Sequence, residues 1–256
     1  MTLGSDGDFY GTTYGEAGGS SDSGTVFKVT TNGVLTSLAF FNKTNGSHPR
    51  AGLTLGNSAT FYGTTWIGGS SGRGTVFRVT TNGVLTSLVS FNSLNGAYPN
   101  ADLTLGRDGN LYGTTLEGGG TGAGTLFRVT TNGVFTSLVS FNGTNGASPR
   151  ARLTMGRDGN LYGTTYSGGS SGRGVIFRLN LASTLSHPRI EILATSANVN
   201  LTLAAAAGSS WNIERAVELI GPWTNLGALR IAPNGFGQFQ DTNPAFPNVF
   251  YRAVHP

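Results

Sequence analysis

Through residues 1–180 the apolar positions come in short bursts of four to eight residues, separated by Gly, Asn and Asp, and the bursts recur. One unit reads as four strands, shown by LTLG (53–56), LYGTT (111–115), GTVFRVTT (74–81) and VLTSLVSF (84–91). Within them positions alternate between two faces, Phe77 and Val79 on one and Val76 and Arg78 on the other, which predicts half-buried strands rather than helix. Asp108-Gly109 and Asp158-Gly159 stand between the first two strands, and Asn82-Gly83 and Asn132-Gly133 between the last two. Such dipeptides tolerate positive φ and predict two-residue hairpins. Tyr112 is expected to bury its ring between neighbouring units while its hydroxyl finds a partner.

The ten residues GRDGNLYGTT occur twice, at 106–115 and 156–165, with looser copies GSDGDFYGTT (4–13) and GNSATFYGTT (56–65). Their tyrosines fall at 10, 62, 112 and 162, a period near 50. That length is in the range of propeller blades. The fold class expected is all-β: a small propeller of about four blades, closed or open, followed by an immunoglobulin- or fibronectin-like β-sandwich. The repeats occupy about 1–50, 51–100, 101–150 and 151–182. The last loses register at Asn180-Leu181, where a turn and an outer strand were due, which would leave an open edge at Val175, Ile176, Phe177, Arg178 and Leu179. Either Arg189–Ser196 or a strand from another molecule would cover it. After Pro188 the Gly-rich loops stop, and 188–256 reads as six or seven short strands forming the second domain.

The pattern LYGTT-x-x-GG-x-x-G-x-GTVF-x-V-x-x-x-G resembles the Gly-rich tandem repeats named for Gloeobacter and Verrucomicrobia. The resemblance covers roughly 1–180 and implies an exported, extracellular or surface-anchored repeat protein; it brings no catalytic residues. The run WNIERAVELIGPWTNLG with FQD and the terminal VFYRAV resembles a C-terminal module of exported verrucomicrobial and planctomycete proteins, a resemblance that implies Trp211 and Trp223 as core anchors.

Composition narrows the function. Charged residues make up 11% of the chain, Gly supplies 41 of 256 residues, and the formal charge is only +4. A neutral, hydroxyl-rich surface with no Lys/Arg run argues against nucleic acid. No apolar run approaches the roughly 20 residues of a membrane span, and the N-terminal MTLGSDGDFY lacks the features of a signal peptide. Met1 aligns with Leu53, Leu103 and Leu153 inside repeating text, so an export signal is expected to lie outside this sequence. The chain has no Cys, which removes disulfides and thiolate chemistry.

The search for chemistry returns little. Asp6, Asp108 and Asp158 would form a ring for calcium, but Ser58-Ala59 interrupts it. His48, His187 and His255 have no partners at ligand spacing, and no G-x-S-x-G is present. Glu16 and Glu117 share equivalent loops and form the one pair of carboxylates worth testing for acid–base work. IGGSSGRG (67–74) and SGGSSGRG (167–174) lead into strands, where a phosphate loop needs a helix. No metal or cofactor is expected. The residue after each YGTT is Tyr14, Trp66, Leu116 or Tyr166, and three aromatics at one equivalent position would make platforms for sugar rings, with Arg73 and Arg173 nearby to donate hydrogen bonds. The leading expectation is a non-enzymatic structural, adhesive or self-assembling protein, partnered by its own copies or by cell-surface components. A lectin-like glycan binder using the aromatic rim is the alternative, and a polysaccharide-acting enzyme comes third.

Overall fold

The computed structural model describes residues 1–15, 23–56, 59–181, 189–194, 199–205, 210–216, 224–232, 236–241 and 250–254. Among them every regular element is a β-strand. The chain is all-β, built from several small sheets. It divides into two compact units, Met1–Met155 with Leu161–Arg178, and Gly156–Asn160 with Leu179–Pro256.

In the first unit each repeat folds into its own antiparallel sheet with the strands in sequence order. The first sheet is β1 (Thr2–Leu3), β2 (Phe9–Thr13), β3 (Thr25–Val29) and β4 (Leu35–Phe40). The second is β5 (Thr54–Leu55), β6 (Thr60–Thr65), β7 (Thr75–Thr80) and β8 (Leu85–Ser90). In the third, β9 (Ala97–Pro99) pairs with β11 (Leu111–Glu117), beside β10 (Thr104–Leu105), β12 (Thr125–Val129) and β13 (Phe135–Ser140). The fourth holds β14 (Thr154–Met155), β15 (Leu161–Thr164) and β16 (Ile176–Leu179).

The turn dipeptides close hairpins, but three-residue ones. The Gly109 amide donates to the Gly106 carbonyl at 3.0 Å and the Gly106 amide to Asn110 at 2.8 Å. Positive φ falls on the glycine alone, 77° at Gly109 and 86° at Gly83. A type I turn followed by one left-handed residue therefore replaces the expected two-residue turn, and Asp or Asn stays in ordinary space.

The strands of the middle repeats are buried on both faces, where one buried face was expected. Tyr10, Val26 and Phe41 of the first sheet form a cluster with Leu53, Phe61, Phe77 and Val79 of the second. Tyr62, Val76 and Phe91 then form the next cluster with Leu103, Leu111, Phe127 and Val129. Within β6, Phe61 thus looks back and Tyr62 looks forward, the period of two carrying each residue to the opposite neighbour. Phe9, which has no such preceding sheet among the described residues, is 38% exposed, whereas its equivalents Phe61 and Leu111 are fully buried.

This packing explains YGTT. The tyrosine is the forward ring; Tyr10 stacks on Phe61 with centroids 4.2 Å apart. Its hydroxyl donates to Asp6 at 2.7 Å, as Tyr112 does to Asp108. The aspartates thus serve as acceptors within their own hairpins. The glycine lies beneath the phenylalanine of the paired strand: a Cβ on Gly63 would stand 2.5 Å from the Phe77 ring, and one on Gly113 2.6 Å from Phe127. The first threonine reaches the following repeat, Thr12 Oγ1 donating to the Ala51 carbonyl at 3.0 Å. The second is buried against its cross-strand mate, with Thr65 and Thr75 hydroxyls 2.8 Å apart. Successive inner strands are tied the same way, since Thr54 and Thr104 donate to the carbonyls of Leu103 and Leu153 at 2.6 and 2.7 Å.

The second unit contains β17 (Arg189–Ala194), β18 (Val199–Ala204), β19 (Ser210–Ala216), β20 (Thr224–Arg230), β21 (Phe236–Asp241) and β22 (Phe250–Val254). They form two three-stranded sheets, ordered β17-β18-β21 and β20-β19-β22. Leu201, Leu203 and Phe239 from one and Ile213, Trp211 and Ala253 from the other share one core. Trp211 is thus a core residue; Trp223 lies outside the described residues. Of Arg189–Ser196, expected as one cover for the edge at Val175–Leu179, the described part Arg189–Ala194 pairs instead with Val199–Ala204. β16 remains the outer strand of its sheet among the described residues, with Ile176 82% exposed.

Candidate functional site

The aromatic positions that follow YGTT lie where one repeat meets the next. The geometry is set by three short segments, Ser47-His48-Pro49-Arg50, Ala97-Tyr98-Pro99-Asn100 and Ala147-Ser148-Pro149-Arg150. Their second residues have left-handed φ of 55°, 57° and 54°. A side chain rarely adopts that conformation, and here flanking hydrogen bonds impose it. The His48 amide donates to the Ser23 carbonyl at 2.8 Å, and the Trp66 amide donates to the His48 carbonyl at 3.1 Å. Tyr98 repeats the first bond to Arg73, and Ser148 repeats both, to Ala123 and from Tyr166. Each segment therefore joins the Gly-rich loop of one repeat to the rim of the next.

The rings are exposed to different degrees: Tyr14 42%, Tyr166 64%, and Trp66 in between buried and exposed. Each carries an arginine on its face. The Arg50 guanidinium lies over Trp66 and 5.5 Å from the Tyr14 centroid, and that of Arg150 lies 4.0 Å from Tyr166. The platforms are thus covered on one side. Arg50 also donates to the Tyr14 hydroxyl at 3.4 Å. His48 meets the Tyr14 ring edge-on at 4.7 Å, and Ser47 Oγ lies 2.6 Å from His48 Nδ1.

Of the two arginines expected to serve the platforms, Arg73 stands against a neighbouring ring. Arg73 hydrogen-bonds the Tyr98 hydroxyl and lies 5.2 Å from that ring, while Tyr98 packs edge-on against Trp66 at 5.7 Å. Arg173 is exposed at the end of its loop. Val175 accepts from the Thr165 amide at 3.0 Å, and Phe177 packs on Phe141 at 5.3 Å; Arg178 and Leu179 continue β16. Glu117 is exposed at the end of β11, whereas Glu16, His187 and His255 fall outside the described residues. No cluster of metal-ligating side chains occurs among the described residues.

Arg50, Arg150 and His48 were not foreseen as partners of the rim. The sequence holds a signal for the arginines. Arg50 and Arg150 precede the aromatic rim residues Trp66 and Tyr166 by 16 positions, and where the rim residue is Leu116 the matching residue is Asn100.

The repeat pattern matches a known family over residues 1–207. The chain belongs to the Gloeobacter/Verrucomicrobia repeat family. The match extends past the last GTVF-type strand into the second unit. A search of curated proteins by sequence returns no match for this Gloeobacter/Verrucomicrobia repeat protein. Solved structures similar to it include a gluconolactonase from Xanthomonas campestris, at 13% identity and a TM-score of 0.45 over 69% of this chain. The repeat protein spans 54% of that gluconolactonase. A 6-phosphogluconolactonase-like protein from Bacteroides uniformis shares 15% identity, with a TM-score of 0.43, over 90% of this chain and 74% of its own. An α-L-arabinofuranosidase from Clostridium thermocellum shares 13% identity, with a TM-score of 0.39, over 78% of this chain and 79% of its own. These names correct the leading expectation from sequence, a non-enzymatic structural, adhesive or self-assembling protein, which is withdrawn. With every TM-score below 0.5, the likeness assigns this chain no activity.

Proposed function

We propose that this repeat protein binds carbohydrate at the junctions between its repeats. The observation that carries the reading is the paired occurrence of an arginine and an aromatic ring, Arg50 with Trp66 and Arg150 with Tyr166, on a rim of neutral hydroxyl-bearing loops. A sugar presents an apolar face for an aromatic ring and an edge of hydroxyls for planar donors such as guanidinium. The arginine on the ring is no obstacle, because an exposed cation–π contact is worth only about 0.5–1 kcal/mol and yields to a ligand that replaces it.

The architecture belongs to the same proposal. Four consecutive sheets, each in sequence order and tied through their inner strands, support a small β-propeller over 1–182. Two sheets around one core support an immunoglobulin- or fibronectin-like sandwich over 188–256. A neutral, Gly- and Thr-rich surface supports an extracellular or cell-surface location. A glycan array probed with the whole chain tests the binding reading. Binding that is lost in Trp66→Ala and weakened in Tyr166→Ala is the expected result, and an array that stays silent overturns it.

A further inference from the structure

The first junction differs from the other two in a way that bears on ligand charge. Beside it lies a hollow of about 490 Å³, lined by Lys43, Thr44, Ser47, His48, Ile67 and Ser70 together with loop glycines. That is the size of a small-molecule site. Its floor is held by backbone bonds: the Gly69 amide donates to the Lys43 carbonyl at 2.7 Å, and the amides of Ser47 and Ile67 donate to each other's carbonyls at 2.8 and 3.2 Å. His48 connects the hollow to the rim, since its ring meets Tyr14 and the residue after Trp66 is Ile67, which lines the wall.

Backbone conformation is shared across the junctions, but charge is not. Lys43 and its equivalents Ser93 and Gly143 all have positive φ, 68°, 70° and 87°. At the positions of Lys43, His48 and Arg50 the second junction has Ser93, Tyr98 and Asn100, and the third has Gly143, Ser148 and Arg150. The first alone gathers two permanent cations and an imidazole. Among the described residues, none that lines the hollow is a carboxylate, and Lys43 has no ion-pair partner.

We propose that this hollow takes the carboxylate of an acidic sugar, a uronic acid whose ring lies against the Tyr14–Trp66 rim. The inference rests on the carbohydrate reading and adds the class of sugar. Lys43 supplies a point charge on a flexible stem, the Ser70 hydroxyl is free to donate, and the Arg50 guanidinium offers paired donors at the rim. A neutral sugar would leave Lys43 with water. A carboxylate is the ligand that turns the excess charge into charge-assisted hydrogen bonds.

Calorimetric titration of the full chain with trigalacturonate, with its fully methyl-esterified and therefore neutral form, and with inorganic phosphate tests the proposal. The acid is expected to bind about tenfold more tightly than the ester, the difference one charge-assisted hydrogen bond makes. Added salt should erode that advantage. Lys43→Ser installs the residue that the same backbone already accepts at 93. It should cut binding of the acid and leave the ester unchanged. Equal binding of acid and ester overturns the inference and leaves the carbohydrate reading standing. Phosphate binding as tightly as trigalacturonate shows a simple anion site and overturns it too. Failure of acid and ester together, on a chain that binds nothing on the array, removes both.

Discussion

Replacing Gly113 by Ala tests the packing that the YGTT motif was read to serve. The new Cβ would stand 2.6 Å from Cζ of Phe127 and 2.8 Å from Cδ2 of Leu103, where ordinary contact begins near 3.4 Å. The ring has little room to retreat. Phe127 is fully buried between Phe91, 5.3 Å away, and Phe135, 5.6 Å away, and Leu103 is fully buried as well. Overpacking of a tight core costs about 1–3 kcal/mol. In a domain of this size that lowers Tm by about 2–12 °C. Gly120→Ala is the control, because a Cβ there meets nothing within 4 Å. It should move stability by no more than about 0.5 kcal/mol. Thermal and denaturant unfolding of both variants, followed by circular dichroism, supply the comparison. Adding Phe127→Leu to Gly113→Ala should cost less than the sum of the single changes, because the shorter side chain vacates the contested space. If Gly113→Ala is as stable as Gly120→Ala, the ring does not lie on the glycine and the account of the motif is wrong.

Other outcomes follow from the same contacts. Tyr112→Phe removes the hydroxyl that donates to Asp108, and should cost about 1 kcal/mol in denaturant unfolding without changing the m-value. Phe91→Ala empties a fully buried site between two sheets and should cost about 3–5 kcal/mol, read as a fall in the unfolding midpoint. Burial, followed by the hydrogen bond to Asp6, pushes the Tyr10 hydroxyl up to about 12 from 10.0. A raised pKa means that the folded state holds the proton more firmly, so this contribution to stability is complete below pH 10 and is lost as pH rises toward 12. Ultraviolet titration of phenolate absorbance should show Tyr10 ionising late or only with unfolding, and Asp6→Asn should bring it down part of the way.

Much of the molecule was legible in the residues. Period-two bursts, a spacing near 50 and Gly-bearing turns determined strands, repeats and family, because backbone sterics and side-chain alternation act over a few residues. The burial of Tyr112 and its hydroxyl bond could be expected for the same reason, its acceptor Asp108 lying four positions away in one hairpin. Tertiary structure decided the rest. Phe61 and Tyr62 are neighbours in one strand yet serve different cores, which only the stacking of sheet upon sheet reveals. His48 meets Tyr14 across 34 residues, and Arg50 covers Trp66 because left-handed backbone at His48 turns the segment onto the next repeat. No local preference encodes those meetings. They arise when loops far apart in the chain are fixed side by side, and the differences among Lys43, Ser93 and Gly143 acquire meaning only once a hollow has formed around one of them.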